Sequence, residues 1–215
     1  MFAILRIIIL FVVIVGGLGF IIYNIAKFYF ALAPNSNRIK EEFARIKSIL
    51  SESKGELVPF SEREFQLVSG QIKEVTESGY TLGTFSTIYS EPLIIYGYYN
   101  FIGNDRSVLV VKTSKHTFEF NYLDNQVDIL SYGNKIAYID NEGLHAYSNE
   151  VHYKFLDHLD TEYIHIHDQF DNPIGKVIQP TAAHGINSRA IELSNHDDNY
   201  DEELFIAAAI YLMLS

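Results

Sequence analysis

No cysteine occurs among the 215 residues. That excludes a disulfide framework, a cysteine zinc site and a thiol nucleophile, while remaining compatible with oxidising and reducing compartments alike. Tryptophan is absent too, so the aromatic content rests on 15 Tyr and 15 Phe. No G-x-S-x-G run marks a nucleophile elbow. The nearest approach to a phosphate loop, Gly16-Gly17-x-Gly19, lies inside an apolar run, where small residues serve helix packing. Positive charge is scarce over most of the chain. Residues 1–54 hold seven Lys/Arg against three acids, so the remaining residues hold nine against 24, a net of −15. Such a domain repels nucleic acid and anionic lipid.

Two strongly apolar segments stand out, one near each end. The first, Ile7 to Ala33, is interrupted only by Asn24 and Lys27. As a helix it covers about 40 Å and crosses a hydrocarbon core of about 30 Å. The second, Leu204 to Leu214 within a helix expected over 203–214, covers about 16 Å and does not. A short helix that is apolar on every face needs protein around it. A signal peptide competes for the first segment, because Ala31-Leu32-Ala33 looks like a cleavage site. The length of the apolar run, the bulky Phe28-Tyr29-Phe30 and the following Pro34 favour an uncleaved anchor. Lys27, Arg38, Lys40, Arg45 and Lys47 outnumber Arg6 across the span. That bias predicts a single-pass protein of the cell (inner or plasma) membrane with a cytoplasmic C-terminal domain.

Three regions follow: an anchor over 1–33, an amphipathic linker helix over 34–55, and a β-rich domain over 56–215. In the linker, Ile39, Phe43, Ile46 and Leu50 form one helical stripe. It suits packing on its own domain, a short coiled coil, or a helix lying on the membrane surface. From Leu57 the helical period gives way to short alternating runs separated by turn residues. The expected strands are Glu64–Val68, Gln71–Val75, Tyr80–Ser86, Leu93–Phe101, Ser107–Thr113, Thr117–Tyr122, Gln126–Ser131, Lys135–Ile139, Leu144–Ser148, Val151–Leu156, Tyr163–Asp168, Ile174–Ile178 and Arg189–Leu193. The pattern predicts a mainly β fold: a closed antiparallel β-barrel of about 12 strands around the buried C-terminal helix. Alternatives for that helix are a tail anchor, for which it is short, and a helix packed between a sheet and a partner.

The run Asp168-Gln169-Phe170-Asp171-Asn172-Pro173-Ile174-Gly175-Lys176-Val177 and the closing Asp201–Leu214 segment resemble the tubby C-terminal superfamily, which includes the LURP-one-related proteins and phospholipid scramblases. The resemblance implies a closed barrel of about twelve strands around a hydrophobic C-terminal helix, over roughly residues 57–215. Tubby proteins bind phosphoinositides through basic residues, which this acidic domain does not match. Scramblases place an acidic calcium segment near a C-terminal apolar helix, whereas the long span here is at the other end. A second likeness covers the first half: Val68–Ile72, Thr81–Phe85 and Ser90–Tyr96 look like the β-rich membrane-tethered domain of the GIDE type, without its RING cysteines.

Candidate chemistry is sparse, and no catalytic residue is assigned. His165-Ile166-His167 places two imidazoles on one strand face with Tyr163; with His145, His152 or His158 nearby it is a candidate zinc or other transition-metal site. The plainer reading is a solvent face alternating with a core face. Asp197, Asp198 and Asp201, with Glu202 and Glu203, are oxygen donors suited to calcium. They lack the glycine and spacing of a calcium loop, and equally suit a helix start. The leading expectation is a non-enzymatic binding or scaffold module, held to the bilayer through residues 7–33, with an unknown protein or lipid partner and no nucleic acid. The alternatives are a metal-dependent or hydrolytic enzyme using the His/Asp cluster, and a lipid-scrambling or lipid-transfer protein.

Overall fold

The turns of this chain are tight and chemically specified. Ser78-Gly79 and Tyr132-Gly133 each take positive φ at both positions, the geometry of the two-residue hairpin turn that matches strand twist. The computed structural model describes residues 17–23, 34–52, 56–101, 106–123, 125–147, 152–157, 163–178, 189–194 and 201–214, and these turns join two of the hairpins among its twelve strands. They are β1 (Val68–Glu77), β2 (Tyr80–Thr87), β3 (Pro92–Asn100), β4 (Ser107–Lys112), β5 (Thr117–Leu123), β6 (Gln126–Ser131), β7 (Asn134–Asp140), β8 (Gly143–Ala146), β9 (His152–Asp157), β10 (Tyr163–His167), β11 (Pro173–Ile178) and β12 (Ile191–Leu193). Each pairs antiparallel with the next, in sequence order. A Ser69–Arg189 bridge and an Ala190 N–H donated to the Val68 carbonyl (2.8 Å) bring the two ends of the sheet together. The result is a nearly closed antiparallel barrel.

Besides the helical residues 17–23, three helices accompany the strands among the described residues: α1 (Ser36–Glu52), α2 (Glu62–Phe65) and α3 (Glu202–Leu214). α3 occupies the barrel. Leu204 through Ile210, with Leu212 and Met213, are buried and join inward residues of the wall such as Phe85, Leu109, Phe120, Ile129, Leu144 and Ile166. Ala207, Ala208 and Ala209 are fully buried, which lets the surrounding strands come close. The helix starts beside the β4–β5 and β6–β7 turns: Lys115 pairs with Glu202 (3.4 Å), and Ser131 Oγ donates to Glu203 (2.5 Å). It ends near the opposite rim, where Tyr211 meets Tyr122 and Phe155 at ring-centroid distances of 6.2 and 6.4 Å.

α1 lies outside the wall. Its stripe Phe43, Ile46 and Leu50, with Ile39, packs on Ile95, Phe101, Val108 and Val110 of the β3–β4 region. Gly97 makes room for Ile46, whose Cγ2 would be 2.4 Å from a β-carbon there. Buried carboxylates pin the helix: Glu42 accepts the Tyr80 hydroxyl (2.6 Å), and Lys47 reaches Glu119 (2.6 Å). α1 begins at the rim where α3 ends, since the Arg38 guanidinium sits 5.5 Å from the Phe101 ring and Glu42 meets the first residue of β2.

Two expectations need correction or restriction. Glu64–Val68 is not a strand; Glu62–Phe65 forms the single helical turn of α2, and only Val68 joins β1. Packing overrides the strand-like composition there: Phe65 meets Phe60 at 5.3 Å and Phe205 of α3 at 6.4 Å, covering the end of the barrel where α3 enters. The apolar segment 7–33 lies outside the described residues except for 17–23, which are helical with Leu18, Phe20, Ile21, Ile22 and Tyr23 exposed. Among the described residues no helix is long and apolar enough to cross a membrane.

Candidate functional site

Strand alternation decides which polar side chains share a surface. In β8, β9 and β10, Leu144, Tyr153 and Ile166 are buried in the core, so His145, His152, Lys154, His165 and His167 face outward. Antiparallel register then sets the rows. Tyr138 of β7 opposes His145, which opposes His152. In the next row Lys154 opposes His167, and beyond it Leu156, His165, Lys176 and Glu192 run in line across β9 to β12.

The first row is the tightest. Tyr138 and His145 stack at 4.8 Å, and the His152 ring meets His145 edge-on at 4.2 Å. His145 Nε2 lies 3.1 Å from Asp140 Oδ1. That carboxylate also accepts the Glu142 backbone N–H at 2.8 Å. Partial burial alone would raise the Asp140 pKa, but these donors outweigh it and hold the carboxyl below its ordinary value. Asp140 therefore accepts the hydrogen bond from His145 Nε2–H and fixes the ring's tautomer. His152 is pushed below its ordinary value, first by burial and then by His145. The row is a fixed aromatic and imidazole platform on the barrel's outer surface.

The sequence-predicted metal candidates do not converge. His165 and His167 share the outer face, with ring centroids 6.4 Å apart. His167 Nδ1 lies 3.0 Å from the Asp171 carbonyl, to which it donates. Lys154 separates the two histidine pairs: it opposes His167, follows His152 by two residues on the same face, and pairs with Asp171 at 2.6 Å. Asp201 is on the other side of the wall, where its Oδ1 accepts the Leu204 N–H (3.1 Å) as the cap of α3 and its backbone exchanges bonds with the Tyr153 hydroxyl. Asp197, Asp198 and His158 lie outside the described residues. Among the described residues, no three His, Asp or Glu side chains are grouped as metal ligands.

A second cluster lines the rim where α3 ends. Tyr98, Tyr122 and Tyr211 meet in succession, Tyr98 edge-on to Tyr122 at 6.1 Å and Tyr122 tilted against Tyr211 at 6.2 Å. Burial raises the Tyr122 and Tyr211 hydroxyls above the ordinary range, so they remain neutral hydrogen-bonding groups at physiological pH. Sequence reading singled out neither this cluster nor the Asp140–His145 contact. The tyrosines were visible as alternate positions of β3 and β5. Their meeting with Tyr211 depends on how far α3 penetrates the barrel.

No family model matches the chain, and no curated protein or solved structure is similar enough to count as a match.

Proposed function

We propose that this protein is a membrane-tethered, non-enzymatic binding module of tubby or scramblase-like architecture, whose working surfaces are the outer wall and rims of the barrel. One observation carries the reading: the barrel interior is filled by the chain's own α3, with Ala207 through Ile210 fully buried. Lipocalin-type barrels hold a ligand in that space; here recognition falls to surfaces. The order of twelve antiparallel strands around an apolar C-terminal helix supports the resemblance drawn from Asp168–Val177 and Asp201–Leu214. The tether is residues 7–33, read from their length and apolarity. The Lys/Arg excess beyond them directs the barrel to the cytoplasmic side of the cell membrane. α1 begins just after the tether, so the rim bearing Tyr98, Tyr122 and Tyr211 lies nearest the bilayer.

Fractionation of cells expressing the full chain tests this reading. The protein should stay in the membrane pellet after an alkaline wash, and release into the supernatant would remove the tether. Metal analysis of the purified full chain tests the metal-dependent form of the enzyme alternative, which stoichiometric zinc or calcium would favour. Lipid movement in liposomes containing the full chain would replace the binding module with a scrambling protein.

A further inference from the structure

Four large aromatic side chains are exposed at one end of the barrel: Tyr147 (51%), just after β8 and against the Tyr138 ring, and three more on hairpin turns. Tyr89 is 69% exposed, Tyr132 68% and Phe170 74%. Each lies in the turn of a hairpin: Tyr89 between β2 and β3, Tyr132 between β6 and β7, Phe170 between β10 and β11. All three turns are at the rim where α3 enters. They are also spaced four strands apart in a twelve-strand order, which distributes the tips evenly around that rim. Single exposed apolar residues are common on protein surfaces. Even spacing on one rim, on turns that are each braced, is a built arrangement.

The bracing is specific. Thr87 Oγ1 accepts the backbone N–H groups of Tyr89 and Glu91, both at 3.3 Å, and Ser90 N–H is donated to the Thr87 carbonyl at 2.8 Å. The Tyr132 hydroxyl donates to the Lys115 carbonyl at 2.7 Å, tying one turn to the next. Asp168 Oδ1 accepts the N–H groups of Phe170 and Asn172, both at 2.8 Å, while Asn172 Nδ2 donates to Asp168 Oδ2 at 2.9 Å. Preset turns present rigid side chains with little ordering entropy left to lose on binding.

We propose that this rim docks a protein partner through a basic face, with Tyr89, Tyr132 and Phe170 as its contact points. The charge around the tips selects the partner. Glu91 is in the Tyr89 turn, Asp168 and Asp171 flank Phe170, and Glu202 and Glu203 begin α3 between the tips. Lys115 pairs with Glu202 and Lys154 with Asp171, so Glu91, Asp168 and Glu203 are the carboxylates without a lysine or arginine partner among the described residues. Acidic and aromatic groups together suit arginine and lysine, which pair with carboxylates and lie over aromatic faces. Tips distributed around a barrel mouth are touched together only by a broad surface, not by a small ligand. The same acidity disfavours an anionic bilayer. Direction agrees, resting on the tethered reading for this point alone. α1, 17 residues long, spans about 25 Å from the tether-side rim toward this one, so the tips point away from the membrane.

The test uses the full chain in phosphatidylcholine nanodiscs. The probe is a fluorescent designed helical bundle with an arginine-rich face, compared with the same bundle carrying glutamates instead. The arginine bundle should bind the native chain, and Y89S/Y132S/F170S should weaken it about tenfold or more, with a cooperative thermal melt retained, since the side chains are exposed and only the Tyr132–Lys115 hydrogen bond is lost. V75S, at an exposed position near the opposite rim, should bind as the native chain does. Equal binding by the triple variant and the native chain would overturn the proposal. So would dependence on the three residues for self-association or for docking to added phosphatidylcholine vesicles, in place of the arginine bundle. Alkaline extraction reads the tether separately, so its failure leaves the rim result intact.

Discussion

The ring of Tyr96 fills the space over Gly83. A β-carbon at residue 83 would stand 2.1 Å from Tyr96 Cζ. The two residues oppose each other across β2 and β3, and Glu74 of β1 is next in the same row. The missing side chain at 83 lets Tyr96 cross a whole strand and donate its hydroxyl to the Glu74 carboxylate. Burial first, and this bond second, push the Tyr96 hydroxyl far above its ordinary pKa of 10.0. Gly83→Ala must displace the ring or the strand, at about 1–3 kcal/mol. Urea denaturation should show a lower midpoint, and an unchanged midpoint would mean that the wall yields at this row.

α3 gives a second expectation. Ala208 is fully buried, so Ala208→Leu overpacks the centre and should cost about 1–3 kcal/mol. Removing residues 204–215 takes away the apolar filling altogether and should abolish cooperative thermal unfolding. A truncated chain that melts as the native one does would show that the barrel stands without its plug.

The α1 clamp is testable by a double-mutant cycle. Tyr80→Phe leaves the buried Glu42 carboxylate without its 2.6 Å donor, a loss of about 1.5–3 kcal/mol for a bond to a charged group. Glu42→Leu with Tyr80→Phe replaces both partners by apolar groups and should recover part of that loss. Strict additivity of the two single changes in denaturant melts would show that the pair is not coupled.

His116 supplies a pH dependence. Its ring stacks on Phe118 at 5.6 Å and meets Phe60 edge-on at 6.2 Å, and its Nε2 is buried without a hydrogen-bond partner among the described residues. Burial lowers its pKa below the ordinary 6.5, against the pull of Glu203. The unfolded chain therefore takes the proton first as pH falls. The His116 contribution is intact above the unfolded value, declines below it, and levels off under the folded value. His152, lowered for the same reason, adds in the same direction. Urea melts from pH 8 to pH 5 should show falling stability, and His116→Phe should flatten part of that slope. A native profile that is level over this range would refute the assignment.

Much of the wall was legible from alternation alone. β6 falls on its expected Gln126–Ser131 span, and most other strands lie within a residue or two of theirs. The exceptions have tertiary causes. Glu64–Val68 carries strand-like residues, but Phe65 is worth more against Phe60 and Phe205 than in a ladder. β1 runs from Val68, earlier than expected, through a register shift before Ile72 that lets it meet both β2 and the Arg189 bridge. The candidate site was only half readable. The outward placement of His165 and His167 follows from period-two alternation. The His145–His152 contact does not, because it depends on the register across a connection whose geometry the residues between them do not declare.

The amino-acid order alone determined the lengths of two apolar segments, the longer one near the start and the shorter one near the end, and the succession of short alternating runs between them. These are local properties, set by residue type and spacing along one strand or helix. Tertiary structure decided which rows face each other, that α3 fills the barrel with its start at the rim of Tyr89, Tyr132 and Phe170, and that Asp201 stands across the wall from the histidines. Such relationships join residues tens of positions apart, and only strand register and closure of the sheet bring them together.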